Sequence, residues 1–328
     1  MEMNQAFSQF LDSIRPTDAQ RAAYRAGHSF LKQCLVADDR HQRDVLAIFL
    51  QGSHRRATAI RPRTNERPVV DIVVVTALSP KKYAPHVAIQ HLESRVCAQW
   101  RPIVHARGRS LVLAWPQVLL HLVITSAPPQ AEPLCGDFTS DALDEVASPR
   151  PAEASAWQMD PLLIPNREVS RWESTHPMAQ LAWSRQKNSS CNGYYLDVVK
   201  AIKWWQTSYA TPLKALKSYP LEALVGDCCP DGVRSVGEGV TFTLEAIRDK
   251  YTWHGRIGQV PWIGNPGIAG QNVLARVPAD EFAVFMQAVT AAARTARQAL
   301  DEDDAEQALR LWRALFGPKF TGNTDFDA

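Results

Sequence analysis

A Gly-Ser turn, a solitary aspartate and two lysines are the residues of this chain best suited to chemistry. The run Leu50-Gln51-Gly52-Ser53-His54-Arg55-Arg56 ends an apolar stretch in a glycine, a hydroxyl and three basic side chains. Glycine lets backbone N–H groups come close to a ligand and Ser53 adds a donor, so the turn suits a phosphate. His54, Arg55 and Arg56 either meet the same phosphates or simply solubilise the turn. Asp71 stands alone in Val69-Val70-Asp71-Ile72-Val73-Val74-Val75-Thr76. A carboxylate in so apolar a run is costly to bury without a partner or a metal, unless it sits at the exposed mouth of a strand. Lys200 and Lys203, three residues apart beside an apolar helical stripe, can both point into a cleft or form a solvated helix face. Six cysteines (Cys34, Cys97, Cys135, Cys191, Cys228, Cys229) show no CxxC or Cys/His ligand spacing. Zinc is not expected, the adjacent Cys228-Cys229 pair is poorly placed for a bridge, and reduced thiols are the simpler reading.

The elements that must position these groups divide the chain in two. Phe7, Phe10, Leu11 and Ile14 recur at helical spacing, and Thr17 with Gln20 forms a capping box for a second helix. Val45–Leu50, Val69–Val75, Leu111–Leu113 and Val118–Ile124 read as strands, with a helical stretch from Pro80 to Trp100. From Ser126 to about Pro165 the pattern dissolves into Pro, Ala, Asp and Ser, as in a long irregular loop. Beyond it the periodicity is almost wholly helical: Tyr195, Val198, Val199, Ile202 and Trp205; Val240, Leu244 and Ile247; Phe282 to Ala296; and Leu309 to Phe316. The expectation is an α+β fold, with a mixed-sheet lobe over 1–170, an α-helical lobe over 171–328 and a central cleft.

Composition narrows the partners. Thirty-six Lys+Arg against 34 Asp+Glu leave a net charge of +2 in 328 residues, which excludes a basic nucleic-acid coat; no general nucleic-acid binding is expected. Trp204, Trp205 and Trp312 fall on helical core positions, so the ten tryptophans do not read as a stacking platform for single strands. His176, before Pro177, reads as structural. No apolar run is long enough for a membrane span and the start has no signal pattern, so a cytoplasmic protein without membrane contact is expected.

Taken together, Gly52-Ser53 and the Asp71 strand resemble the nucleotidyltransferase (polymerase-β-like) fold. More narrowly, the chain resembles the bacterial CD-NTases (cGAS/DncV-like nucleotidyltransferases, SMODS) of CBASS anti-phage signalling. The second lobe carries the resemblance in Val198-Val199-Lys200-Ala201-Ile202-Lys203-Trp204-Trp205, in Leu216-Lys217-Ser218-Tyr219-Pro220-Leu221-Glu222, and in Leu311 to Phe320.

The resemblance implies two divalent metals held by three carboxylates: a D-x-D pair on the strand after Gly-Ser, and a third on a neighbouring strand. By position these fall on Val69, Asp71 and His121, so one carboxylate of three remains. Asn166 and Asn265 also stand where relatives are expected to carry aspartate. The resemblance further implies that Lys203 and Ser218 hold a donor triphosphate beside Gly52, Ser53 and Lys200, and that Tyr219 stacks on a base. Magnesium is therefore doubtful, with Asp71, helped at most by Glu66, left for a single ion bound with ATP or another nucleotide. The expected function is a pseudoenzyme that binds a nucleotide or cyclic oligonucleotide and relays it to a defence-system protein. The rivals are an active synthase of a cyclic di- or oligonucleotide messenger, an inactive scaffold subunit beside an active paralogue, and, more remotely, an RNA-tailing enzyme.

Overall fold

In β2 (Val69–Thr76) every residue except Asp71 is β-branched, the composition that best fits a pleated and buried surface. The computed structural model, which describes residues 3–36, 44–62, 66–99, 104–128, 160–207, 216 and 219–321, sets this strand in a seven-stranded mixed sheet. The other strands are β1 (Val45–Gln51), β3 (Val104–Arg107), β4 (Ser110–Ala114), β5 (Leu119–Ser126), β6 (Leu162–Asn166) and β7 (Arg171–Thr175). The order is β1-β2-β5-β4-β3, with β6 joined to β5 at Ser126–Leu163 and β7 to β6. Among the described strands of this sheet only β2 and β5 run parallel; the remaining pairs are antiparallel.

Alternation then sorts the side chains. Val70, Ile72, Val74, Leu120, Leu122 and Ile124 pack into one core with Leu31, Leu35, Ile89 and Leu92 of helices α2 (Asp18–Val36) and α4 (Pro85–Gln99). On the opposite face Phe49, Val73, Val75 and Leu162 form a smaller core. Asp71 and Val69 share that second face by the period of two. Thr17 and Gln20 exchange the two capping-box hydrogen bonds, at 3.0 and 3.1 Å.

The larger core is helical. It is built from α5 (Pro177–Ser190), α6 (Tyr195–Thr207), α7 (Tyr219–Cys228), α8 (Val236–Arg256), α9 (Ala279–Leu300) and α10 (Ala305–Phe316). The first helix, α1 (Met3–Ile14), belongs to it: Phe7 meets Trp312 edge-on at 4.9 Å and Phe10 stacks on Phe316 at 4.7 Å. Helix α1 thus docks on α10. Trp204, Trp205 and Trp312 are buried in this core, as their helical positions foretell.

The sequence reading missed β3, the β6–β7 hairpin and the small pair β8 (Gly264–Asn265) and β9 (Ile268–Asn272). These strands are short, and Pro165, Glu173 or Gly270 break the alternation that would announce them. Most of the irregular stretch expected from Ser126 to Pro165 lies outside the described residues, as does Ser218.

Candidate active site

Sheet register gathers the three positions singled out on β2 and β5. Asp71 pairs across β1 with Gln51 and across β5 with His121, while Val69 pairs with Leu119. His121 Nδ1 lies 3.6 Å from Asp71 Oδ1. Val69 is 39% exposed and the Asp71 side chain 38%, so both sit at a rim that solvent reaches. The exposed-mouth reading of Asp71 is half right. Protein encloses the rest of the carboxyl, and that burial pushes it up to about 6 against the pull of Arg56 and Lys203, with Glu222 adding to the rise.

Gly52 is where it must be. It adopts φ +72°, and a Cβ placed there would lie 2.2 Å from Asp71 Oδ2. Only glycine allows both the left-handed backbone and the close approach. Ser53 follows in a single helical turn, α3 (Gly52–Arg55), whose exit is fixed by Thr58 N–H donating to the Ser53 carbonyl at 2.8 Å. His54 packs against the Tyr24 ring, and its enclosure, reinforced by the charge of Lys203, lowers it to about 4.

Arg56 does not solubilise the turn. It is buried, donates from Nε to Glu222 Oε2 at 2.8 Å and lies over the Tyr219 ring at 4.9 Å. Lys203 donates to Glu222 Oε1 at 2.5 Å and to the carbonyl and hydroxyl of Thr58 at 3.1 and 3.4 Å. One buried carboxylate therefore joins two buried cations, one from the turn after β1 and one from α6. Burial alone would raise Glu222, but Lys203 and Arg56 outweigh it and hold the carboxyl down at about 2. Breaking such a group by removing one partner costs about 3–5 kcal/mol, because the others stay buried and uncompensated.

Lys200 lies apart from this group. Its Nζ pairs with Asp197 at 2.6 Å, and Asp197 also faces Arg15 of α1, so the two lysines on α6 do not share one environment. The i, i+3 spacing gave them a common side, and the acidic residue one turn before Lys200 drew it away.

Tyr219 is half-buried, with one ring face under Arg56 and its hydroxyl donating to Asn265 Oδ1 at 3.0 Å. Gln180 Nε2 donates to the same oxygen at 3.3 Å and its own Oε1 accepts from Gln51 Nε2 at 3.3 Å. A hydrogen-bond chain thus runs from the end of β1 through α5 to β8 and α7. Asn166 is buried and accepts the Glu168 N–H at 3.0 Å, which closes the hairpin turn. His176 caps α5, accepting from the Ala179 N–H at 3.4 Å.

Sequence reasoning missed Glu222 as a site residue. The signal was present: a lone acid inside Leu221-Glu222-Ala223-Leu224-Val225 needs a cation by the argument already applied to Asp71. Among the described residues, no three or more His, Cys, Asp or Glu side chains are grouped to hold a metal, and no helix is long and apolar enough to cross a membrane. Glu66, the other acid near Asp71 in sequence, is exposed.

Known proteins share this architecture. Residues 1–116 match SMODS, the Second Messenger Oligonucleotide or Dinucleotide Synthetase domain. The chain is 35% identical to a probable cyclic AMP-AMP-GMP nucleotide synthase of Salmonella paratyphi B, over 98% of this chain and 92% of that protein. It is 34% identical, with the same coverage, to a cyclic AMP-AMP-GMP synthase of Enterobacter hormaechei subsp. hoffmannii. The structure of CdnC from E. coli MS115-1 with ATP superposes with a TM-score of 0.68, covering 97% of this chain and 99% of its own at 15% identity, a likeness of fold.

Proposed function

This chain belongs to the SMODS (CD-NTase) family, and from that premise we propose that it is a catalytically degenerate member. It binds a nucleotide or cyclic oligonucleotide where its lobes meet and passes that state to a protein partner in anti-phage defence. The observation that carries this reading is the rim of β2 and β5, where the register gathers Val69, Asp71 and His121 and so offers one carboxylate.

Magnesium demands near-octahedral oxygen ligands, and two such ions held roughly 3.5–4 Å apart need anions to bridge and neutralise them. Valine offers no lone pair, and an imidazole nitrogen is a poor ligand for so hard an ion. These residues do not fit a two-metal centre. Nucleotide contact rests on Gly52, Ser53 and Tyr219, with Ser218 next to Tyr219 in sequence. Lys203 has all three donors committed to Glu222 and Thr58, so it serves first as the tie between the turn after β1 and α6, and a triphosphate would have to displace one of those bonds.

Incubation with all four nucleoside triphosphates and magnesium or manganese, read by chromatography, tests the proposal. The natural chain is expected to form no product, and the Val69→Asp/His121→Asp variant to gain activity. Robust product from the unaltered chain would refute the proposal and bring it into line with the relatives named as synthases. Melting measurements with ATP, GTP and cyclic dinucleotides are expected to show a rise of several degrees with at least one ligand, since binding to the folded form alone stabilises it. No shift with any of them would leave only the scaffold role.

A further inference from the structure

Two thiols far apart in sequence meet inside the helical lobe. Cys191 Sγ and Cys229 Sγ lie 3.7 Å apart, and both residues are buried. Cys191 caps the end of α5 and Cys229 follows the end of α7. The two turns that carry them are already joined: Gly232 N–H donates to the Ser190 carbonyl at 2.8 Å, Asn192 Nδ2 to the Val233 carbonyl at 3.1 Å, and Lys187 Nζ to Asp231 Oδ1 at 2.8 Å. The sequence neighbour Cys228 points elsewhere, with its Sγ 3.7 Å from Asp227 Oδ2. All these cysteines are free thiols.

We propose that Cys191 and Cys229 are a latent dithiol that a peroxide closes to a disulfide. A disulfide needs its sulfurs about 2.05 Å apart, and side-chain rotation between two tied turns brings them there without separating the helices. One thiol loses its proton and its sulfur attacks an oxygen of hydrogen peroxide. The O–O bond breaks, giving a sulfenic acid and a hydroxide that takes up the proton as water. The second sulfur then displaces the sulfenic oxygen, the S–S bond forms and a second water leaves. Two thiols and one peroxide give one disulfide and two waters, with two electrons passing from sulfur to oxygen.

Burial sets the tempo. It raises both thiols, Cys191 to about 12, so little thiolate exists while the turns are closed. Reaction waits on local opening at Asn192, Gly193, Asp231 and Gly232, which are exposed. The same burial shields the finished bond from small-molecule thiols. The loop it closes holds both α6 and α7, and with them Lys203 and Glu222.

The test exposes the reduced, full-length chain to hydrogen peroxide and maps its peptides without reduction. The expected result is a dominant Cys191–Cys229 cross-link, removed by dithiothreitol once the chain is unfolded in denaturant, with a melting point raised by roughly 5 °C as the closed loop restrains the unfolded chain. That rise is expected to vanish in Cys191→Ser and Cys229→Ala. If both variants fold poorly, the peptide map of the unaltered chain still decides. Finding Cys229 joined to Cys228, only sulfinic and sulfonic products, or no cross-link unless the protein is first unfolded would overturn the proposal.

Discussion

The β2–β5 rim and the Arg56–Glu222–Lys203 tie each concern a carboxylate in an apolar setting, and they have opposite characters. At the rim, Asp71 is partly exposed and its carboxyl is raised; in the tie, Glu222 is buried and its carboxyl is depressed. Clustered carboxylates at a metal rim repel one another in the absence of ions, so a change to valine or histidine relieves the fold while removing the chemistry. The tie is neutralised within the protein and joins two parts of the chain, so its loss harms the fold whether or not catalysis survives. Under the proposed degenerate reading, the rim is the part the chain can lose and the tie the part it must keep.

The largest expected effect is in the tie. Glu222→Ala leaves Arg56 and Lys203 buried without their anion and is expected to cost about 3–5 kcal/mol in denaturant unfolding. Asp71→Asn at pH 8 is expected to leave stability unchanged or raise it, because there it removes a charge that the fold disfavours. If Asp71→Asn proved as damaging as Glu222→Ala, the contrast between the regions would fail. Next comes Gly52→Ala, at roughly 2–4 kcal/mol from the left-handed backbone and the collision with Asp71 Oδ2. Asp71→Ala in the same chain is expected to recover the collision part and not the backbone part, so the two changes should be non-additive in a double-mutant cycle.

The pH dependence sharpens the comparison further. With its folded value near 6 and an ordinary value of 3.8, Asp71 makes the native chain bind the extra proton, so stability falls as pH rises through that window. His54, held near 4 against an ordinary 6.5, acts in the opposite sense: the unfolded chain takes the proton, and stability rises with pH over the same range. Melting curves from pH 4.5 to 6.5 are expected to climb more steeply in Asp71→Asn than in the unaltered chain. An equal or shallower slope would contradict the raised carboxyl. The smallest effect belongs to Tyr219→Phe, about 0.5–1.5 kcal/mol for the hydrogen bond to Asn265, since the ring under Arg56 remains.

Period and propensity made the main elements legible. The β-branched run at Val69–Val75 and the helical stripes at Tyr195–Trp205 and Phe282–Ala296 form where their patterns placed them. The grouping of Val69, Asp71 and His121 was implied only by the family resemblance; the strand register then sets Asp71 opposite His121 with Val69 on the same face. The tie was not legible. Arg56, Lys203 and Glu222 come from separate segments, and no local pattern reports which charges a tertiary fold will bring together. Lys203 alone looks like any helix lysine; its burial is decided by Thr58 and Glu222, which lie far from it or on another helix. Cys191 and Cys229 were hidden for the same reason, while the adjacent Cys228-Cys229 drew the eye.

The central claim is that the rim cannot assemble a pair of metal ions. Counting bound manganese by electron paramagnetic resonance, in the presence of a non-hydrolysable ATP analogue, addresses it most directly. The account predicts at most one ion per chain in the natural protein and two in Val69→Asp/His121→Asp; two ions in the natural protein would contradict it.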